Sequence, residues 1–209
     1  MTRAAELAKF IGDGTLGTGA ASDKKIVFDG NAQDFHIGLD DSSDSLTIGL
    51  GSTLGTTSHM VIDATGAITK PLQPAFLVKP SSSQLNLTVG SANTVVFGTE
   101  IFDQNGDFAS NTFTAPVTGK YQLNLDIFFT NIDSASTELG IKLETSNREH
   151  NIFIEPDHAF ASDGNHSYVM ATLADMDAND TVTVKVTPVG GHTDVDVHSH
   201  TKFSGYLVC

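Results

Sequence analysis

From Tyr121 to Phe129 the chain alternates. Tyr121, Leu123, Leu125, Ile127 and Phe129 are apolar, and Gln122, Asn124 and Asp126 between them are polar. A period of two sends successive side chains to opposite faces, so this segment is expected to be a strand with one face in a core. Phe128 interrupts the polar side and marks a candidate subunit contact. Val182, Val184 and Val186 point one way, while Thr183, Lys185 and Thr187 point the other. Further short apolar runs at 75–78, 94–97, 101–103, 139–143, 151–154, 166–170 and 203–208 read as strands. Asn105-Gly106 supplies the positive φ of a tight turn, and Pro116 presets φ for another.

Residues 19–70 carry shorter strands at 25–28, 35–39, 46–50, 60–63 and 67–69, separated by Asp, Gly, Asn and Ser. The triplet Ile-Gly-Leu occurs at 37–39 and again at 48–50, a weak repeat. This stretch is poor in core material: 14 large apolar residues serve 52 positions. So few cannot easily offset the ordering entropy of an independent domain. Three copies wrapped about one axis could pool them. Residues 51–56 and 61–68 are similar in style to shaft and neck segments of bacteriophage tail-fibre proteins.

Before this region, Ala4, Leu7, Ala8 and Ile11 recur at helical spacing, and Gly12-Asp13-Gly14 ends the pattern. Such a short helix is marginal alone in water and needs a surface to dock on; the alternative is a frayed terminus. Lys70-Pro71-Leu72-Gln73-Pro74 reads as a linker, because two prolines stiffen the backbone and end any ladder.

Composition narrows the function classes. The 209 residues include 25 Asp+Glu against 11 Lys+Arg, a net charge of −14. With the basic residues scattered, a nucleic-acid surface is not expected, nor adsorption to anionic membranes. There is no run of about 18 apolar residues, so no membrane insertion is expected. No secretory h-region is visible, and the single cysteine, Cys209, excludes an internal disulfide.

The passages Phe113-Thr114-Ala115-Pro116-Val117-Thr118-Gly119-Lys120-Tyr121 and Phe203-Ser204-Gly205-Tyr206-Leu207-Val208, with Asn105-Gly106-Asp107-Phe108, resemble the complement C1q globular-head family. Asp175 to Val182 is similar to that family's turn, with Asn179 where glycine is usual. The resemblance runs from Ala75 to the end. It implies an antiparallel jelly roll related to tumour necrosis factor that works as a homotrimer. The long polar segment 187–201 departs from the pattern and leaves the shape of that loop open.

The main chemistry-bearing constellation is His192 to His200. If extended, it would set Asp194, Asp196, His198 and His200 on one face. Three chains could then offer six imidazoles to a transition metal, or carboxylates to calcium. The other reading is a solvated hairpin, and no metal or other cofactor is assigned. The Asp-rich segments 40–44 and 103–107 lack the glutamate of a calcium loop and read as turns. No nucleophile elbow, zinc-protease motif, phosphate loop or dinucleotide fingerprint is present, so no catalytic residues are assigned and an enzyme is not expected.

These readings combine into an all-β protein. Residues 1–18 are expected to be an attachment helix, 19–70 a short-stranded trimeric β-shaft, and 71–209 a C1q/TNF-like jelly-roll head. The anchor–shaft–head order points to a bacteriophage virion fibre or spike, made in the host cytoplasm. It would bind other virion proteins through its N-terminal region and a host surface glycan or protein through its head. The alternatives are an architectural capsid or tail knob without a ligand, and a cellular C1q-like adhesion or lectin module.

Overall fold

The computed structural model describes residues 15–192 and 194–209. The expected helix over Ala4, Leu7, Ala8 and Ile11 lies outside the described residues. The chain divides into two compact units, Met1–Leu72 and Gln73–Cys209.

The first unit is an antiparallel meander of β1 (Lys24–Phe28), β2 (Phe35–Asp40), β3 (Ser45–Leu50), β4 (Ser58–Ile62) and β5 (Ile68–Thr69), paired in that order. Asp63 shapes the β4–β5 turn: its Oδ1 accepts from the backbone N–H groups of Thr65 and Ala67 at 2.8 and 2.9 Å. The Ile-Gly-Leu triplets fall in neighbouring strands. Ile37 pairs with Ile48, and each glycine lies opposite a polar residue, Gly38 across from Thr47 and Gly49 across from His36. Both glycines are required by close approach. A Cβ at Gly38 would come 2.4 Å from the Lys24 carbonyl oxygen, and one at Gly49 would come 2.3 Å from that of Thr57.

The sheet is covered on its polar side. His36, Asp40, Ser45 and Thr47 are buried, beneath the segment that carries buried Leu54. His36 Nδ1 lies 2.9 Å from the Gly51 carbonyl oxygen, and Lys25 Nζ donates to that of Ser52. The opposite face holds three cross-strand rows: Phe28, Phe35 and Leu50; Ile26, Ile37, Ile48 and Met60; Leu39, Leu46, Ile62 and Ile68. These are the apolar positions, yet Phe28 is 61% exposed and Ile68 is 58% exposed.

The second unit is a two-layer antiparallel sandwich. Its front sheet runs β14 (Gly164–Met176), β11 (Gly119–Ile132), β17 (Lys202–Leu207), β6 (Ala75–Lys79), β8 (Thr99–Gln104), with β16 (Asp196–Val197) on the end of β11. Its back sheet runs β13 (Glu149–Ile154), β12 (Glu138–Thr145), β15 (Thr181–Val189), β10 (Thr112–Thr114), β9 (Phe108–Ala109), with β7 (Asn93–Thr94) on β15. One short helix, α1 (Pro156–Ala159), follows β13.

The core lies between the layers. The inward sides of β11, β12 and β15 supply Tyr121, Leu123, Leu125, Ile127, Phe129, Leu139, Ile141, Leu143, Val182, Val184 and Val186, all essentially inaccessible to water. Phe76 stacks on Phe113 and Phe108, with centroids 4.7 and 5.3 Å apart. Phe203 meets Phe76 edge-on at 5.1 Å. Offset and edge contacts of this kind add to the burial of each ring.

Two segments differ from expectation. The strand expected at 94–97 reaches only Thr94. Val95 still donates to the Val184 carbonyl, but the Phe97 N–H goes to the Asn111 side chain at 2.8 Å, and the ladder stops. Residues 175–176, read as part of a turn, extend β14, because the whole of β11 from Gly119 offers it a partner. The turn comes after Met176. There Asn179 takes a φ of +75° and its N–H donates to the Ala115 carbonyl at 2.7 Å. Asparagine tolerates this left-handed geometry better than other side-chain-bearing residues, which is why it stands in for glycine.

Candidate functional site

The sandwich has a base and a distal end. At the base, Tyr121 pairs with Leu207, and Lys120 N donates to the carbonyl of terminal Cys209. At the other end of β11, Thr130 pairs with Asp196 of β16. Around that distal end, carboxylates tie the loops together. Asp133 is buried and accepts the N–H of Ala135 at 2.8 Å through Oδ1, and the N–H of His192 through Oδ2. Asp163 accepts both the N–H and the hydroxyl of Ser134 at 2.8 Å. Those bonds hold the Asp163 carboxyl below its ordinary value.

The four candidate ligands sit in this region. Asp196 Oδ1 accepts from Asn86 N at 2.7 Å, and its Oδ2 accepts from Asn131 Nδ2 at 3.1 Å, so its oxygens serve loop structure. Asp194 is exposed and lines a distal hollow of about 370 Å³ with Asn131, Asp133, Asp163 and His192. His198 and His200 lie against Phe128. The His198 ring meets it edge-on at 5.0 Å, the His200 ring stacks at 6.3 Å, and the imidazoles are 4.5 Å apart. His198 Nδ1 accepts the His200 N–H at 3.2 Å, which leaves the proton of a neutral His198 ring on Nε2. Among the described residues no three His, Cys, Asp or Glu side chains are grouped to hold a metal ion within one chain. The segment is a loop around the two-residue β16 rather than a hairpin. Gly190 and Gly191 turn it with φ of +71° and +70°.

Two surfaces escaped sequence reasoning. On the outward face of the front sheet, Val169 and Leu173 are 70% and 57% exposed, with Tyr206 and Phe102 about half exposed. Leu173 is registered with Gln122, and Val169 with Asp126. A strand such as β14, apolar on both sides in a two-layer fold, carries a surface its own chain does not cover. The text of β14 holds this signal, but only its phase relative to β11 reveals which residues point out. On the back sheet, Phe153 is 64% exposed and lies across from Gly140.

The C1q domain profile matches residues 75–208, well over half of the sequence. The chain belongs to the C1q domain family. C1q domains are binding and structural modules, so this protein is not an enzyme. Among solved structures, the globular domain of zebrafish complement 1qA is 19% identical, covers 66% of this chain and 98% of its own, and has a TM-score of 0.48. Murine APRIL is 12% identical, covers 65% of this chain and 99% of its own, and has a TM-score of 0.46. No curated protein matches the sequence.

Proposed function

We propose that this protein is a homotrimeric bacteriophage fibre or spike whose C1q domain forms a head that contacts the host cell surface. The observation that carries the reading is the orientation of the first sheet. Its polar face is covered by its own chain, and its apolar face of Phe, Ile and Leu rows is open to water. Such a face is expensive to leave wet, at about 25 cal/mol for each Å². Three copies facing a common axis would bury it, as a thin shaft does. The uncovered apolar residues on the front sheet of the C1q domain support the same stoichiometry, and so does membership of a family whose domains assemble in threes.

The order of a terminal segment, a shaft and a C1q domain supports a virion role. In that role residues 1–18 attach to other virion proteins. An architectural knob would share the trimer and bind no cell. Native mass spectrometry of the full chain tests the assembly: a trimer is expected, and a monomer at every concentration overturns it. Binding of the purified chain to intact bacterial host cells tests the host contact, and its absence overturns that role.

A further inference from the structure

The back sheet carries a surface that neither its fold nor its assembly uses. We infer that Phe153, with Gly140 beneath it and Glu138 beside it, forms a binding site for the hexose ring of a neutral glycan. This deepens the proposed host contact and rests on it.

The site is built by register. Phe153 of β13 pairs with Gly140 of β12, and Gly140 pairs with Thr187 of β15. The row therefore reads aromatic, no side chain, hydroxyl. The phenyl ring leans over the glycine, its Cε1 and Cδ1 only 3.5 and 3.6 Å from where a Cβ at Gly140 would be, and Glu138 Oε1 is 3.7 Å from the same point. A hollow opens on each side of the ring, about 350 and 130 Å³, with Phe153 and Glu138 in the wall of both. Asn151 and Thr187 add an amide and a hydroxyl on one side, and Glu155 adds a carboxylate on the other.

The chemistry of this arrangement suits a sugar. A sugar ring has an apolar C–H face that packs on the electron-rich face of a phenyl ring. Its hydroxyls are donors that seek carboxylate and amide acceptors. Charge selects the class. Glu138, Glu149 and Glu155 line the two hollows, where Lys142 is already paired with Glu149 at 2.7 Å and His158 with Glu155 at 3.1 Å. Carboxylated or phosphorylated sugars would be repelled, whereas neutral hexoses meet acceptors on both sides. The back sheet also faces away from the front-sheet surface proposed for trimer contact, so assembly leaves it open.

Saturation-transfer NMR on the full-length chain tests the site. The probes are neutral gluco-, manno- and galacto-configured oligosaccharides, with sialyllactose as the anionic control, each at about 5 mM to reach weak affinities. At least one neutral series is expected to receive saturation and sialyllactose none. Phe153→Ala is expected to weaken binding about tenfold or more, the loss of one stacking contact. Phe153→Tyr keeps a ring and should retain it. Because Phe153 is mostly exposed, the alanine variant should keep the wild-type mass and circular dichroism. Silence from every neutral series, binding unchanged by Phe153→Ala, or a preference for sialyllactose overturns the site. If the chain binds host cells and Phe153→Ala binds them equally, the site falls while the host contact stands. If it binds a neutral sugar through Phe153 but no host cell, the site stands and the host reading falls.

Discussion

Gly205 leaves open the space that the Phe76 ring fills. A Cβ at Gly205 would lie 2.7 Å from Phe76 Cε1 and 2.9 Å from Leu123 Cδ2, with Phe76 and Leu123 paired to it from either side. The glycine in the closing Phe-Ser-Gly-Tyr strand is thus a packing device, unrelated to turn geometry. Gly205→Ala is expected to overpack the aromatic cluster and destabilise the C1q domain by about 1–3 kcal/mol. Chemical denaturation followed by tyrosine fluorescence would measure it. An unchanged midpoint would mean the cluster is looser than described.

Asn179 holds a φ of +75° beside the Ala115 carbonyl. Asn179→Ala should cost about 1–2 kcal/mol, because a Cβ without a compensating local polar group resists the left-handed region. Asn179→Gly should be close to neutral. Equal stability of the two variants would count against a backbone origin for the effect.

Ile48 sits in the middle row of the open apolar face, between Ile37 and Met60. In a lone chain, a polar substitution at so exposed a position changes stability by less than about 0.5 kcal/mol. In a trimer, Ile48→Glu would bring three carboxylates together in an apolar axis and unwind the shaft. Limited proteolysis should then cleave within 19–70 while the C1q domain survives. Resistance equal to wild type would count against the shared core.

Asp107 has a buried Oδ2 without a hydrogen-bond partner. Burial, reinforced by the charge of Asp103, raises its carboxyl above the ordinary value. A folded pKa above the unfolded one favours the protonated form in the native state. That contribution is full below the ordinary carboxylate range and is lost as pH rises through the raised value. Asp107→Asn should therefore melt higher than wild type near neutral pH, and the difference should shrink as pH falls into the acidic range. Melting curves from pH 3 to pH 8 would show it, and a gap that widens on acidification would reverse the assignment.

Most of the C1q domain could be read from the sequence because its determinants are local. The alternation of β11 and β15 and the Asn105-Gly106 turn each act within a few residues of where they are written. The short β7 could not be read, because a side chain from residue 111 took the N–H that the ladder needed. The face of Phe153 was also hidden. Its strand ends in the unbroken apolar run Ile152-Phe153-Ile154, which ranks neither face, and only the row with Gly140 and Thr187 sets the ring over a bare floor.

The sequence by itself determined the all-β class, the family and the poverty of apolar residues in the first unit, since composition and period two require no partner. Tertiary structure alone decided that the polar face of the first sheet is the covered one. Strand alternation makes two faces without ranking them, and the segment 51–57, which meets His36 through the Gly51 carbonyl and Gly49 through that of Thr57, chose between them. It also decided that Asp196 serves the distal loops while His198 and His200 rest on Phe128, because β16 pairs with the far end of β11, about 70 residues away in sequence.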